Sequence, residues 1–191
     1  MKTQIVLFLA LLIVAMGCDK LNSPNEKTPD PELLLSPFYG YKYTGELPQN
    51  QSHMKGTTVT KTIKFKDSSG SMEFTLGDCA PNFNVELTGY GHASLMGKIH
   101  VLNTFCSDGV DPVEPIYGFL TAANGDEIHT MVTEAGFTDE GELLYYVYTV
   151  LGGTGRFEHI VSGEMIIYGN MDIPGLSWSA WGEGTLEFQY P

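Results

Sequence analysis

The 191-residue chain carries 23 Asp and Glu residues against 10 Lys and Arg, a formal net charge of -13. Nucleic-acid binding depends mainly on Lys and Arg neutralising phosphates, so this charge argues against a nucleic-acid partner. Hydrophobic residues make up 42% of the chain, which is enough for one core and too much for an intrinsically disordered protein. The 22 glycines and 10 prolines favour turn-rich β structure over a helical bundle.

The N-terminus has the pattern of an export signal. Lys2 precedes an uncharged apolar run at residues 5–16, which is too short to span a bilayer but has the length of a signal-peptide core. The next residues complete the motif Ala-Met-Gly-Cys at 15–18, which resembles the lipobox of bacterial lipoproteins, with Ala15 at the usual leucine position. The resemblance implies that residues 1–17 are a lipoprotein signal peptide and that Cys18 is lipidated. An ordinary secretory signal with an incidental cysteine is the alternative.

Residues 18–37 are expected to form the lipidated cysteine and a flexible tether. The segment holds four prolines among Asn, Ser, Thr and charged residues, a composition that stays extended because it cannot bury a core. An anionic lipid surface would repel so acidic a protein. We therefore expect the lipid on Cys18 to be its membrane attachment, in the bacterial cell envelope at the outer membrane or the periplasmic face.

Residues 38–191 are expected to form one β domain, since apolar residues recur there with period two. The alternation assigns seven residues to the inner face of the strands, with small neighbours at Gly182 and Gly184: Met72, Phe74, Leu76, Trp178, Ala180, Leu186 and Phe188. Besides the two strands that hold these residues, the candidate strands are 58–66, 84–94, 98–105, 117–122, 127–135, 143–151 and 163–168. The pair Asn124-Gly125 predicts a hairpin with a type I′ turn.

Eight or nine short strands with almost no helical pattern predict a closed barrel or a two-sheet sandwich. Glycines recur at period two in two of the strands, at 89 and 91 and again at 182 and 184. Missing side chains at such positions let a sheet coil tightly, which favours the barrel.

Four segments carry a family resemblance. They are Gly-His-Ala-Ser-Leu-Met-Gly-Lys (91–98), Thr-Ala-Ala-Asn-Gly-Asp-Glu (121–127), Gly-Gly-Thr-Gly-Arg-Phe (152–157) and Gly-Glu-Gly-Thr-Leu (182–186). Together they resemble bacterial lipoproteins related to the allene oxide cyclase and dirigent β-barrels, over roughly residues 80–190. The resemblance implies an all-β, antiparallel, eight-stranded barrel of calycin type. No residue here matches the substrate-pocket residues of those proteins, so the resemblance assigns no catalytic residue.

The residue patterns predict no catalytic site, no metal site and no cofactor. The five histidines lack metal-ligand spacing, and the acidic loop of Asp108, Asp111 and Glu114 lacks the glycine-pinned calcium pattern. Arg156, the single arginine of the chain, follows a glycine-rich turn that lacks the ending of a phosphate loop. We expect its guanidinium to clamp a carboxylate or backbone carbonyls at the barrel rim.

Two cysteines remain once Cys18 is lipidated. An exported domain folds where disulfides persist, so Cys79 and Cys106 are predicted to form a disulfide at the open end of the hairpin of strands 84–94 and 98–105. Two buried free thiols are the alternative.

Two functions remain open. The first is a lipid-anchored, non-catalytic barrel that binds a small molecule, a glycan or a protein partner. The second is an enzyme, an isomerase or cyclase by fold analogy, that uses the barrel cavity. The interior of an eight-stranded barrel is either filled by side chains or holds one small ligand. A ligand site is predicted at the barrel mouth near Trp178, with polar contact from the turn around Arg156.

The tyrosines offer a different kind of site. Tyr39, Tyr41 and Tyr43 alternate on one face of the expected first strand, and Tyr145, Tyr146 and Tyr148 lie on both faces of another. Such rings suit carbohydrate stacking or a protein interface. Tyrosines that fill the barrel interior are the alternative.

Overall fold

A computed structural model describes residues 40–48, 56–109, 111–138 and 143–191. The predictions for the signal peptide, Cys18, the tether and Tyr39 lie outside these residues. The described strands form one closed barrel in which each strand pairs antiparallel with the next in the chain and the last returns to the first. The predicted all-β, eight-stranded antiparallel barrel is confirmed.

The strands follow one another with short connections. Their bounds are β1 Thr57–Thr75, β2 Phe83–Ala93, β3 Gly97–Ser107, β4 Ile116–Ala122, β5 Glu127–Phe137, β6 Leu144–Gly153, β7 Ile160–Asp172 and β8 Ser177–Tyr190. A single 3-10 turn, Gly155–Phe157, lies between β6 and β7. The connections β2–β3, β4–β5 and β6–β7 lie at what we call the Arg156 end of the barrel. The connections β1–β2, β3–β4, β5–β6 and β7–β8 lie at the opposite, Trp178 end.

Strand β1 corrects the expected strand count. The sequence predicted separate strands at 58–66 and around Met72, whereas the structure has one strand of 19 residues. A bulge between Lys66 and Ser69 joins the two halves, and Asp67 there has a φ of 50°. The extra residue resets the alternation, so that Phe65 and Ser68 both face the interior. The polar run at the bulge resembles a turn in sequence, which explains the error.

The hairpin at Asn124-Gly125 is present, but its turn type was wrong. Gly125 has a φ of 88°, and Asn124 has no positive φ. The N–H of Gly125 donates to the carbonyl of Ala122 at 2.9 Å, and the N–H of Ala122 donates to the carbonyl of Asp126 at 2.8 Å. These bonds define a three-residue loop with one left-handed glycine. The Asn124 amide also donates to the Asp126 carboxylate at 2.7 Å, a bond within the turn.

The inward side chains form two clusters, one at each end of the barrel. The cluster at the Arg156 end includes Ile63, Phe65, Ile99, Ile128, Phe157, Leu186 and Phe188. The cluster at the Trp178 end includes Met72, Val85, Phe105, Ile116, Leu144, Tyr146 and Trp178. The predicted inward residues Met72, Trp178, Leu186 and Phe188 are therefore confirmed. Phe74 and Leu76 are 36% and 60% exposed, because β1 passes beyond the Trp178-end cluster before it ends at Thr75.

The segment of residues 40–48 lies beside the barrel and is not its first strand, which corrects the sequence prediction. The N–H of Tyr43 donates to the carbonyl of Thr133 at 2.9 Å, and the N–H of Ala135 donates to the carbonyl of Tyr41 at 2.8 Å. Strand β4 has 7 residues and its neighbour β5 has 11, so part of β5 extends past β4. The segment covers that part, and Tyr41 packs against the Trp178-end cluster. The Tyr41 ring therefore helps to fill the barrel.

Cys79 and Cys106 lie at disulfide-bonding distance, with their Cα atoms 5.5 Å apart. Cys106 pairs with Asn84 at the open end of the β2–β3 hairpin, where the sequence predicted a covalent link. The Cα separation is within the range that disulfides require. The cross-link closes a segment of 27 positions.

We predict that loss of this cross-link destabilises the barrel. In a Cys18→Ser background, replacing Cys79 and Cys106 by serine should lower the free energy of unfolding by about 3 kcal/mol, mainly because the unfolded chain gains freedom. Urea titrations of the variant and its parent measure the difference. Thiol labelling of the unreduced, denatured parent should detect no reactive cysteine, and two labelled cysteines would contradict the prediction.

Candidate ligand site in the barrel lumen

The barrel contains a partly open cavity between its two apolar clusters. Its volume is about 80 Å³, measured over the positions that the centre of a water molecule can take. On that measure a single water needs roughly 10–15 Å³, so the cavity has room for several waters or for a small organic group. The sequence left open whether the lumen is solid or holds a pocket, and the structure shows a pocket.

Several side chains around the cavity are more exposed than is usual for side chains that face the interior of a barrel. Val101, Asn103, Tyr148, Ile167 and Ala180 face the interior, yet each is only half-buried. Inward residues of the two clusters are almost completely buried. The exposed fraction of the half-buried residues is therefore surface that faces the cavity.

Small residues leave the space that the cavity occupies. Ser68, Gly169 and Ala180 line it, and the sequence predicted an inward position for Ala180. Gly182 and Gly184 do not line the cavity, and they have the role that their period-two spacing predicted. A Cβ atom at either would collide with a backbone oxygen of β7, at Ile166 or Glu164. These glycines let β7 and β8 approach closely, which is the tight coiling that favoured a barrel.

One wall of the cavity is polar without being charged. Asn103 on β3, Thr130 on β5 and Tyr148 on β6 converge around Gly118 of β4. A Cβ atom built on Gly118 would lie 2.5 Å from Thr130 Oγ1, 2.6 Å from Asn103 Oδ1 and 3.4 Å from Tyr148 Cε1. The absent side chain thus lets three polar groups meet. The Thr130 hydroxyl donates to the Gly118 carbonyl at 3.1 Å.

The opposite wall is apolar and includes the tryptophan that the sequence singled out. Phe65, Met165 and Trp178 line this side of the cavity. The Trp178 Nε1–H donates to the carbonyl of Ser71 at 3.1 Å. A Cβ atom on Gly89 would lie 2.7 Å from Trp178 Cζ2, so the indole ring occupies space that this glycine leaves. These contacts hold the indole in one orientation against the lumen.

No charged side chain lines the cavity among the residues that the structure describes. Among the described residues that line it, Tyr146 and Tyr148 are the titratable ones. Burial raises the pKa of both hydroxyls, well above the ordinary value for Tyr146. For Tyr148 a hydrogen bond with Asn103 acts in the opposite direction but is the smaller effect. Both hydroxyls are protonated at neutral pH, so the site offers hydrogen bonds to a neutral molecule.

Arg156 fulfils the predicted clamp. Its Nε lies 3.3 Å from Asp126 Oδ2, and its Nη2–H donates to the carbonyl of Met96 at 3.3 Å. From its own β6–β7 connection, the guanidinium therefore bonds to the β2–β3 and the β4–β5 connection. It holds these three connections together at the Arg156 end. Its side chain is half-exposed, at 47%. The interaction is consistent with the structural role that the sequence assigned to it.

The prediction that Arg156 and Trp178 contribute to the same ligand site was wrong. Arg156 lies in the β6–β7 connection, and Trp178 follows the β7–β8 connection. In a barrel of consecutive antiparallel strands, successive connections lie at opposite ends. The structure accordingly places Trp178 at the cavity and Arg156 beyond the cluster of Phe157 and Ile128.

The remaining candidates do not converge on a site. His129 Nε2 lies 2.9 Å from Glu127 Oε2, and His100 Nε2 lies 2.9 Å from Thr88 Oγ1. Within the described ranges, no group of three His, Cys, Asp or Glu residues is placed to hold a metal ion. The Asp108 carboxylate instead accepts the backbone N–H of Asp111 within the acidic loop, at 2.8 Å.

The sequence analysis missed Asn103 and Thr130 as site residues, and named Tyr148 only as a stacking residue. All three have the parity of inward positions on their strands, at the same alternation as Phe105, Ile128 and Tyr146. A polar residue at an inward position is the signal that would have found them. It is a weak signal because inward parity first requires the correct register of each strand.

Comparison with protein families, with curated proteins and with solved structures finds no match for this chain. The resemblance to the allene oxide cyclase and dirigent barrels therefore stays a prediction from four sequence segments. In the part of the chain that the structure describes, no helix has the length and apolar character needed to cross a membrane.

The buried tyrosines predict a dependence of stability on alkaline pH. Tyrosines of the unfolded chain ionise near pH 10, whereas Tyr148 in the barrel keeps its proton to a higher pH because burial raises its pKa. Above about pH 10 the unfolded state therefore loses protons first, and the free energy of unfolding falls by up to ~1.4 kcal/mol per pH unit for each such tyrosine. Urea titrations between pH 9 and about 11.5 should show this fall.

Replacing Tyr148 by phenylalanine removes one of the groups that make stability fall at alkaline pH. The free energy of unfolding should therefore decrease less steeply with pH in this variant. Tyr90→Phe is the matched control, because Tyr90 is 60% exposed on the outer surface. Equal slopes for the parent and the Tyr148→Phe variant would contradict the assignment of Tyr148 to the buried lumen.

Proposed function

We propose that this protein is a lipid-anchored barrel of the bacterial cell envelope that binds a small, neutral, mostly apolar molecule in its lumen. The binding part of the proposal depends on one observation, the cavity between the two apolar clusters with its half-buried inward side chains. The anchoring part depends on the apolar run at residues 5–16 and the lipobox-like motif that ends at Cys18.

The chemistry of the cavity wall favours an apolar ligand. Phe65, Met165, Ile167 and Trp178 supply an apolar surface whose removal from water contributes roughly 25 cal/mol per Å² of area buried. A charged ligand would lose its hydration without gaining an ionic partner, which costs several kcal/mol by order of magnitude. A glycan would have to satisfy many hydroxyls on a wall with few polar groups. A small neutral ligand that is mostly apolar matches this surface best.

The same wall favours binding over catalysis. An acid or base catalyst needs a pKa near the working pH, and it must lie within hydrogen-bond reach of the reacting group. The titratable side chains at the cavity are Tyr146 and Tyr148, and burial moves the pKa of each away from neutrality. The arrangement supports holding a molecule and orienting its polar group.

The ligand is expected to enter from the Trp178 end. The Arg156 end is closed by a continuous cluster in which Phe157 is 3% exposed, and the Arg156 clamp ties its connections together. At the other end the cavity reaches Met171 and Ser179, which are half-buried and exposed respectively. Movement at this end would admit a ligand without disturbing the Arg156 clamp.

Ligand binding can be followed through Trp178. The outward-facing Trp181 is 40% exposed, so a Trp181→Phe background leaves Trp178 as the single indole of the chain. Titration with 1-octanol should give a saturable change in its emission, because the apolar chain enters the lumen beside it. Ala180→Leu fills part of the cavity and should weaken binding roughly tenfold or more. Thr185→Leu, on the outer face of the same strand, is the matched control and should bind like the parent.

Octanoate tests the requirement for a neutral ligand, since it has the same chain with a carboxylate. It should bind more weakly than 1-octanol at neutral pH. An unsaturable response to 1-octanol, or equal affinity in the Ala180→Leu variant, would contradict binding in the lumen.

If the protein is lipid-anchored as proposed, Cys18 carries covalently bound lipid. Full-length protein expressed in a bacterial host with radiolabelled palmitate should become labelled and fractionate with membranes. The Cys18→Ser variant should lose both the label and the membrane association, because no other cysteine occupies a lipobox-like motif. A processed wild-type protein that remains soluble and unlabelled would refute the anchor without bearing on the lumen.

A further inference from the structure

Two side chains in the polar wall of the lumen have hydrogen-bonding groups that the barrel itself does not fully use. The Thr130 hydroxyl is used within the barrel, since it donates to the Gly118 carbonyl at 3.1 Å. Asn103 and Tyr148 differ, because both are half-buried, line the cavity and hydrogen-bond with each other. A buried polar group that lacks a partner costs about 1–3 kcal/mol. The remaining hydrogen-bonding capacity of this pair is therefore directed at whatever fills the cavity.

The roles within the Asn103–Tyr148 pair follow from the geometry around Gly118. Asn103 Oδ1 is the atom of this side chain nearest to Gly118, since it lies 2.6 Å from the position of a Cβ built there. The amide nitrogen is the atom of this side chain that can donate a hydrogen bond. The hydrogen bond also lowers the pKa of Tyr148, as expected when the phenol oxygen accepts. With its oxygen accepting from Asn103, the Tyr148 hydroxyl has its own hydrogen to donate.

We infer that Tyr148 is the donor that recognises the ligand, and that the ligand is an apolar molecule with one hydrogen-bond acceptor such as a ketone or ester carbonyl. The inference rests on the proposed binding in the lumen and adds the ligand's polar group. The carbonyl lies against the Asn103 and Tyr148 wall, and the apolar part lies against Trp178 and Met165. A hydrocarbon of the same shape would leave the hydroxyl without a partner, so it binds less well once the difference in hydration between the two ligands is removed.

A matched pair of ligands isolates this hydrogen bond. 2-Octanone and 2-methyl-1-octene have the same shape, but the second has a methylene group in place of the carbonyl oxygen. In the Trp181→Phe background, Trp178 emission gives both affinities, and each is divided by that ligand's partition coefficient from water into an alkane so that the difference in hydration cancels. The corrected affinity should be roughly tenfold higher for the ketone. Tyr148→Phe should remove this preference by weakening the ketone, and the alkene should bind as before or slightly better.

Tyr146→Phe is the matched control variant. Tyr146 also lines the cavity and lies on the same strand, but its hydroxyl donates to the Met171 sulfur at 3.4 Å. Its removal should leave the preference for the ketone in place. Infrared spectroscopy provides a second measurement, because a hydrogen bond lowers the stretching frequency of the bound carbonyl. That decrease should be present in the parent and in Tyr146→Phe, and absent in Tyr148→Phe.

The possible outcomes distinguish a failure of this inference from a failure of the proposed binding in the lumen. If the hydration-corrected affinities of the parent for the two ligands are equal, or if Tyr148→Phe keeps the preference and the lowered carbonyl frequency, the inference is overturned and binding in the lumen stands. If neither ligand binds the parent saturably, the proposed function itself fails. If Tyr148→Phe does not fold, the parent's preference and the carbonyl frequency still decide the matter.

Discussion

Closure of β8 onto β1 is the interaction on which the structure depends. The two strands pair along nearly the whole of β1, from Thr57 to Ser71, and the bulge near Asp67 interrupts the register with both neighbours of β1. Closure gives every long strand a partner on each side, which removes the exposed edges of an open sheet. It also fixes the diameter of the lumen. Gly70 and Gly89 lie opposite each other in the β1–β2 pairing, where a Cβ at either would collide with the partner backbone.

The candidate site is a consequence of that diameter combined with the choice of inward residues. Large side chains fill the barrel at both ends, and smaller ones at Ser68, Gly169 and Ala180 leave the middle open. Asn103, Thr130 and Tyr148 then give one side of the open region hydrogen-bonding groups without a charge. An eight-stranded barrel with uniformly large inward residues would be solid at this level. The cavity therefore depends on a few residues of β1, β3 and β5–β8.

The sequence predicted the architecture well because strand alternation is local. The parity of Trp178, Leu186 and Phe188, the hairpin at Asn124-Gly125 and the position of the cysteine pair all follow from short stretches of chain. The continuity of β1 was missed because a bulge and a turn have similar polar residues. The polar lumen wall was missed because its members come from separate strands, and only the register of the closed barrel brings them together. The predicted joint site of Arg156 and Trp178 was wrong because successive connections alternate between the two ends of the barrel.

The strand-like segment beside β5 has a consequence for the behaviour of the barrel in solution. Past the end of the short β4, the N–H of Ala135 and the carbonyl of Thr133 point to the side where β5 has no β4 partner, and the backbone of Tyr41 and Tyr43 satisfies them. Without that cover, these groups would form an unpaired edge open to a strand from another molecule. Residues 41–43 thus occupy the edge that such a strand would use. A shortened protein that begins after Tyr43 would expose this edge, and its tendency to aggregate would reflect the lost cover even if its barrel were intact.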